Sequence, residues 1–428
     1  MLQRPQTQRE KARWVVLLVI AVLQYIILGV GLILSPQYDK MPLHTSMLTG
    51  RAWLDELLHP GAHPNRIYIA LGMRRHVFLA LVVKLRAMGF MESERANLML
   101  DELLAIFLYT CVTGLGIDHV AERFQHSHTT ISEHFRKMLD ILSSSDFYDA
   151  YVRLPGVDDP PPAAIRNNPK WWPFFKDVLG AIDGTHIACT PSKEDIHAAR
   201  DRKGGVSQNC LAAVSFDMRF LFFTGGWEGC AADAMMYSRA HLEDFPIPAG
   251  KMYLADAGFG ICDALLVPYR QVQYHLAEWG RAHVRPLNAK ELYNLRHASA
   301  RNVVERIFGV IKHRWTILQR PLHYKMEVQA QIPSALVAVH NFIMEHDNAD
   351  LDRWIIDEQA ADGMRGFVGL QEDEEIDFGF LSTAKCIGNQ EKRQAERKRD
   401  DMAQAMWADY QRILNERMDV DMDIEPVD

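Results

Sequence analysis

Three acidic residues carry the chemistry this chain could perform. Asp183 lies in Ala181-Ile182-Asp183-Gly184-Thr185-His186-Ile187, Asp256 in Leu254-Ala255-Asp256-Ala257-Gly258, and Glu305 in Arg301-Asn302-Val303-Val304-Glu305-Arg306-Ile307-Phe308-Gly309. Each aspartate ends a short apolar run that reads as a strand, and the glutamate falls inside a helical pattern. Carboxylates delivered this way hold two divalent cations about 3.5–4 Å apart, which activate a nucleophile and neutralise a leaving oxygen. That is the chemistry of phosphodiester cleavage and strand transfer. Taken singly, each aspartate has a plainer reading as a turn residue capping its own backbone, and one glutamate on a helix face proves nothing. The reading rests on the three together, in the order strand, strand, helix. Glycine close behind each aspartate lets a backbone or a phosphate approach.

The elements that must position these acids follow along the chain. Val178 to Cys189 reads as the first core strand. Residues 209–215 and 220–225 read as the next two, joined by a tight turn at Asp217-Met218. A helical stretch over 231–242 leads to a strand over 251–256. Residues 263–298 read as an insertion ahead of the Glu305 helix. On that helix Val303, Ile307, Val310 and Ile311 define an apolar stripe, while Arg301, Glu305, Phe308 and Lys312 share a different face. The aromatics of Pro169 to Phe175 read as packing anchors before the first strand.

Upstream, residues 46–145 are helical in pattern. Ile117 to Phe124 forms one helix, Gln125 to His128 a polar turn, and Thr129 to Leu139 a second helix opening on residues suited to capping. Ile131, Phe135, Met138 and Leu139 make its apolar stripe. As a helix-turn-helix, the pair would offer Thr129, Thr130, Ser132, Glu133 and Arg136 to a DNA groove. As an ordinary helical hairpin, it would offer nothing in particular. Val157 to Pro162 is a proline-stiffened connector.

The order of the three acids resembles the RNase H-like core of DDE transposases. From about Leu103 to about Met344 the wording is similar to PIF/Harbinger transposases and their domesticated nuclease relatives. Besides the acids, the resemblance is carried by Arg200-Asp201-Arg202-Lys203-Gly204-Gly205, Ser207-Gln208-Asn209, Gly226-Trp227-Glu228-Gly229, Pro268-Tyr269-Arg270, Asn288-Ala289-Lys290-Glu291-Leu292 and His340-Asn341-Phe342-Ile343. It implies an α/β, RNase H-like catalytic core preceded by an all-α domain containing a helix-turn-helix. The expected domains are an N-terminal extension (1–45), the helical domain (46–155), the DDE endonuclease domain (156–346) and a charged, partly disordered tail (347–428). An exposed helix is expected in that tail over 390–418.

The resemblance further implies two Mg²⁺ or Mn²⁺ ions held by Asp183, Asp256 and Glu305, with DNA as substrate and no other cofactor. It also implies a Myb/SANT-like partner, a homo-oligomer and action in the nucleus. Asp233 matches a further acid of the family pattern. There the segment reads Gly-Ser-x-His-Asp, whereas this chain has Cys230 and Ala232 in place of the Ser and His; Asp233 is thus a secondary metal-site or structural candidate. His186 points to the opposite face of its strand from Asp183. Arg200, Arg202 and Lys203 form a loop that could grip phosphates, and Arg301, Arg306, Lys312 and Arg314 flank Glu305 where they could clamp a DNA backbone. The expected function is metal-dependent DNA cleavage. The alternatives are a domesticated DNA-binding protein that keeps the fold without cutting, and a membrane-anchored relative.

Bulk composition narrows this less than the motifs do. With 48% apolar and 24% charged residues over 428 positions, the chain has the make-up of a folded protein of one or two domains. Its net charge of −8 is not that of a basic nucleic-acid binder. However, acids cluster at Glu372-Asp373-Glu374-Glu375 and Asp419-Val420-Asp421-Met422-Asp423, so the centre is more basic than the mean. Cys111, Cys189, Cys210, Cys230, Cys262 and Cys386 show no CxxC pair or zinc spacing and read as free thiols of a reducing compartment.

Trp14 to Leu34 is apolar apart from Gln24 and Tyr25, and it follows Arg9, Lys11 and Arg13. It has the length of a membrane span, with flanking charges that would keep the N-terminus cytoplasmic. That orientation would put the remaining chain in an oxidising lumen without DNA, against which the cysteine pattern and the lack of an Asn-x-Ser/Thr sequon both argue. A membrane span over 14–34 and a buried or partner-binding helix both stand open.

Overall fold

The computed structural model describes residues 7–34, 42–90, 98–193, 196, 199–200, 204–272, 285–351 and 389–422. The chain divides into two units, Met1–Leu48 and Thr49–Asp428. The first contains α1 (Gln8–Ile33), which opens on a capping box. The Thr7 side chain accepts from the Glu10 N–H, and the Glu10 carboxylate accepts from the Thr7 N–H. By length and composition this helix is apolar enough to cross a membrane.

The second unit begins with eight helices: α2 (Gly50–Leu58), α3 (Pro64–Leu71), α4 (Arg75–Ala87), α5 (Leu100–Thr113), α6 (Ile117–Phe124), α7 (His128–Leu142), α8 (Ser145–Tyr151) and α9 (Ala163–Arg166). α2, α3, α4, α6 and α7 pack around α5, whose run Leu103 to Leu108 is buried throughout. A helix apolar on every side has nowhere else to go. α5 stops at Gly114, in the left-handed region at φ 60°. Between α6 and α7 the chain turns through Gln125, His126 and Ser127, and Ser127 caps α7 by accepting from the Thr130 N–H. The buried Glu102 of α5 anchors this turn through His126, 3.2 Å away. The stripe expected on α7 is buried at Ile131, Phe135, Met138 and Leu139.

The sheet follows, with strands β1 (Val178–Ala188), β2 (Ser207–Val214), β3 (Phe220–Glu228), β4 (Met252–Leu254) and β5 (Leu265–Leu266) in the order β3-β2-β1-β4-β5. β1, β2 and β3 pair antiparallel, while β4 and β5 run parallel to β1. A mixed sheet of this kind needs crossovers; α10 (Asp233–Glu243) lies in the one between β3 and β4. The long α11 (Ala289–Arg314) packs against β1, and α12 (Met326–His346) packs on β3 and on α7 and α8. Asn341 of α12 braces β3: its Oδ1 accepts from the Phe220 N–H at 2.9 Å and its Nδ2 donates to the Phe220 carbonyl at 2.7 Å. The architecture is mixed α/β.

Two segments differ from the sequence reading. The stretch 263–298, read as an insertion, contains β5 and the first turns of α11. Asn294 of α11 clamps Tyr269 through both backbone groups, and His297 bonds the Leu266 carbonyl at 3.0 Å. A strand of two residues is too short to leave an alternation in sequence. The tail helix, α13 (Asn389–Met422), is docked rather than exposed. It packs on α11, burying Ala395, Ala403 and Met406, with Arg399 over the Tyr269 ring and Asp400 accepting from the Tyr269 hydroxyl at 2.6 Å.

α11 ends on Arg314, which is fully buried and ion-paired to the equally buried Asp350. Removing one partner of such a pair leaves an uncompensated buried charge, at a cost of about 3–5 kcal/mol. Asp350→Ala is therefore expected to lower the unfolding free energy by about that amount in urea denaturation. Exposed ion pairs such as Arg66–Glu56 are expected to contribute under about 1 kcal/mol.

Candidate active site

Asp183, within β1, and Asp256, just past β4, stand at the same level of neighbouring parallel strands. The β1–β4 register pairs Ala181 with Leu254, and each aspartate lies two residues beyond its member of that pair. Adjacent strands run about 4.8 Å apart, and residues two apart share a face. The two carboxylates therefore emerge side by side just where β4 ends. Each uses one oxygen on its own backbone: Asp183 Oδ1 accepts from the Gly184 N–H at 3.0 Å, and Asp256 Oδ1 accepts from the Gly258 N–H at 2.7 Å. Each aspartate thus caps its own backbone with one oxygen and keeps a second that this contact does not use.

Asp233 joins them from the first turn of α10, where a helix N-terminus favours negative charge. Its Oδ1 accepts from Asn209 Nδ2 at 3.0 Å, and the same amide donates to the Ala231 carbonyl at 2.9 Å. The carboxylate rests directly on the backbone of Gly184, so closely that a Cβ there would stand 2.2 Å from Asp233 Oδ1. Gly184 is required by this contact. Asn209 was not singled out from sequence as a site residue. Its signal was there, because an asparagine inside a fully buried strand needs a polar partner.

α11 supplies the remaining groups from one face, Arg301, Glu305 and Lys312 standing at i, i+4 and i+11. Arg301 donates to Asp183 Oδ2 at 2.6 Å and to Glu305 Oε1 at 2.9 Å. Its side chain is 7% exposed, whereas that of Glu305 is 59% exposed. Lys312 donates to Thr185 Oγ1 at 2.7 Å, on the same face of β1 as Asp183.

The electrostatics follow from this crowding. Burial pushes the Asp183 carboxyl up from 3.8 to about 7; Arg301 opposes that rise, while Asp256, Asp233 and Glu305 add to it. Burial lowers the Lys312 ammonium, with Cys210 and Asp183 working against it. Among the described residues, no three acid, histidine or cysteine side chains stand as a formed metal cage. The chemistry of the donor set nevertheless fits hard divalent cations such as Mg²⁺ and Mn²⁺, because every donor is a carboxylate oxygen.

Other expected residues are placed elsewhere. Arg202 and Lys203 lie outside the described residues, while Arg200 bridges Val206 at the mouth of that loop. Arg301 and Lys312, expected against a DNA backbone, both turn inward toward β1. Arg314, expected in the same clamp, is buried on Asp350. His186 is exposed, with Nδ1 3.1 Å from Ser207 Oγ. Thr129, Thr130 and Arg136 sit on α7 in the helical region; both threonine hydroxyls bond Ser127, and the Arg136 guanidinium lies over the Tyr324 ring.

This arrangement agrees with what the chain is similar to. Residues 182–341, which include Asp183, Asp233, Asp256 and Glu305, match the DDE superfamily endonuclease family, and residues 45–144 match a domain of unknown function. The chain thus carries a DDE superfamily endonuclease domain. Curated relatives named "Putative nuclease HARBI1" resemble it: the Rattus norvegicus protein at 26% identity over 184 residues, covering 41% of this chain and 48% of that protein. The Homo sapiens protein is 24% identical over 212 residues, covering 48% and 55%. The chain spans about half the length of the curated relatives it matches. No solved structure matches it.

Two outcomes are expected. Because Asp183 titrates near 7 when folded and near 3.8 otherwise, the metal-free native state binds more protons than the unfolded chain between those values. Stability therefore falls as pH rises through that window, and Asp183→Asn should remove most of the fall; urea melts at about pH 5 and about pH 8 measure both. Separately, Gly184→Ala should displace Asp233 and weaken Mn²⁺ binding while leaving the far-ultraviolet circular dichroism unchanged.

Proposed function

We propose that this protein is a divalent-metal-dependent DNA endonuclease of the Harbinger transposase type, with an RNase H-like core. The observation that carries this reading is the matched level of Asp183 in β1 and Asp256 beyond β4 on neighbouring parallel strands, with Glu305 linked to Asp183 through Arg301. Open α/β sheets bind ligands beyond the carboxyl ends of parallel strands, and Asp256 stands just beyond that end of β4. In this reading Asp183, Asp256 and Glu305 hold the metal ions, with Asp233 as a fourth acid. When bound, divalent cations supply Lewis-acid neutralisation of the phosphodiester. The chain's own groups do the rest: Gly184 and Gly258 N–H groups orient the two aspartates, Asn209 fixes Asp233, and the exposed Glu305 faces incoming substrate.

DNA contact is assigned to α7, whose Thr129 and Arg136 are exposed and whose Thr130 is half-buried at its start. In this reading α6 and α7 act as a helix-turn-helix with α7 as the reading element, supported by the exposure of those side chains. Nuclear action, a Myb/SANT-like partner and self-association belong to the same reading and rest on the sequence resemblance alone. The experiment is cleavage of supercoiled plasmid by the full chain with Mg²⁺ or Mn²⁺. Asp183→Ala and Glu305→Ala should each reduce cleavage by more than the roughly 100-fold typical of a group outside the metal's direct ligands. Metal-dependent cleavage that survives both substitutions would refute the assignment. Retained DNA binding without cleavage in the native chain would instead favour the domesticated binding protein.

A second reading concerns α1, a continuous helix of 26 residues. At 1.5 Å per residue it spans about 39 Å, enough for a bilayer core of about 30 Å. As the alternative to nuclear action, we propose it as a membrane anchor. The full chain should then resist carbonate extraction from membranes while a chain starting at Ser46 is released; a full chain recovered soluble would overturn the anchor.

A further inference from the structure

We infer that Arg301 is the resident counter-cation of the metal-free site, and that a divalent ion enters by exchange with its guanidinium. The inference rests on the proposed role of Asp183 and Glu305 as metal ligands. Its grounds are positional. Arg301 reaches both acids at once, at 2.6 and 2.9 Å, through two nitrogens of one planar fork. The Asp183 oxygen it occupies is the one left over after Oδ1 has accepted from Gly184. A Mg²⁺ ion held through these oxygens would stand about 2.0–2.1 Å from them, nearer than a guanidinium nitrogen can come. Ion and guanidinium cannot both lie between Asp183 Oδ2 and Glu305 Oε1.

The two ends of the bridge are unequal. Arg301 is held at 7% exposure and Asp183 at 15%, while Glu305 is 59% exposed. Glu305 is therefore the arm free to swing, and Arg301 and Asp183 are the fixed part. Lys312 does not duplicate this role, since its ammonium is directed to Thr185 Oγ1. Arg301 thus does two opposing things. It holds like-charged groups together before metal arrives, and it competes with the metal for them. Competition of this kind is reciprocal, and coupling between two such occupants is typically 5- to 150-fold.

The test uses the full chain without DNA, at about pH 8. Free Mn²⁺ is counted by electron paramagnetic resonance for the native chain, Arg301→Gln and Arg301→Lys, with thermal melts in the presence and absence of Mn²⁺. Expected is Mn²⁺ binding about 10-fold tighter or more in Arg301→Gln, with Arg301→Lys between it and the native chain. Arg301→Gln should also melt lower without Mn²⁺ and gain more from its addition. A folded Arg301→Gln that binds Mn²⁺ equally or more weakly overturns the exchange, while leaving the metal site intact in the native chain. Should Arg301→Gln fail to fold, Arg301→Lys decides by the same criterion. If no form binds Mn²⁺, both the exchange and the metal-site reading fall.

Discussion

Carboxylates crowded into one place repel one another, and this fold must hold four of them with its own groups. It does so by spreading the compensation over different groups. Backbone N–H groups of Gly184 and Gly258 take one oxygen from each aspartate, the Asn209 amide takes one from Asp233, and Arg301 spans Asp183 and Glu305. None of these contacts tolerates much displacement. The Gly184 backbone lies against Asp233 with no room for a methyl group, and hydrogen bonds weaken steeply as their angles open. The arrangement therefore demands that β1, β4, α10 and α11 be fixed relative to each other.

Much of the remaining structure fixes α11. This helix is buried on nearly all sides, an unusual state for one so rich in polar residues. Its first half is tied to the β5 region by Asn294 and His297, and α13 lies across it. Its last turn is anchored by the buried Arg314–Asp350 pair. Between these two anchorages stand Arg301 and Glu305. Constraint at both ends of a stiff helix is an economical way to place two side chains that must meet a strand, and it accounts for polar groups buried far from the acids.

The sequence made the strands and the acids legible because their cues are local. β1 was expected over Val178 to Cys189 and runs from Val178 to Ala188, and the apolar stripe of α7 is the buried one. What remained hidden depends on burial. A face carrying Arg301, Glu305 and Lys312 looks the same whether water or a strand lies opposite, since periodicity reports which residues share a face and not what the face meets. The docked face of α13 was equally hard to see. It buries two alanines and one methionine among many charges, too sparse a stripe to separate from a solvated helix. Asp233 was visible as an acid, but its position depends on Asn209 across a strand, a contact 24 residues apart in sequence.

The inward turn of Arg301 also bears on how a polyanion approaches so acidic a site. With the guanidinium committed to Asp183 and Glu305, its charge is cancelled locally and offers a phosphate little attraction. Lys312, on the same face of α11, is directed to Thr185. Four acids facing a phosphodiester would repel it at short range, where a partly buried setting screens charge poorly. If metal takes over the carboxylates, it neutralises them and also frees Arg301, a residue suited to bidentate contact with phosphate. The sequence reading of Arg301 as a backbone clamp and its inward position are then two states of one side chain. On this argument, the attraction of a phosphodiester to the acidic site follows metal occupancy.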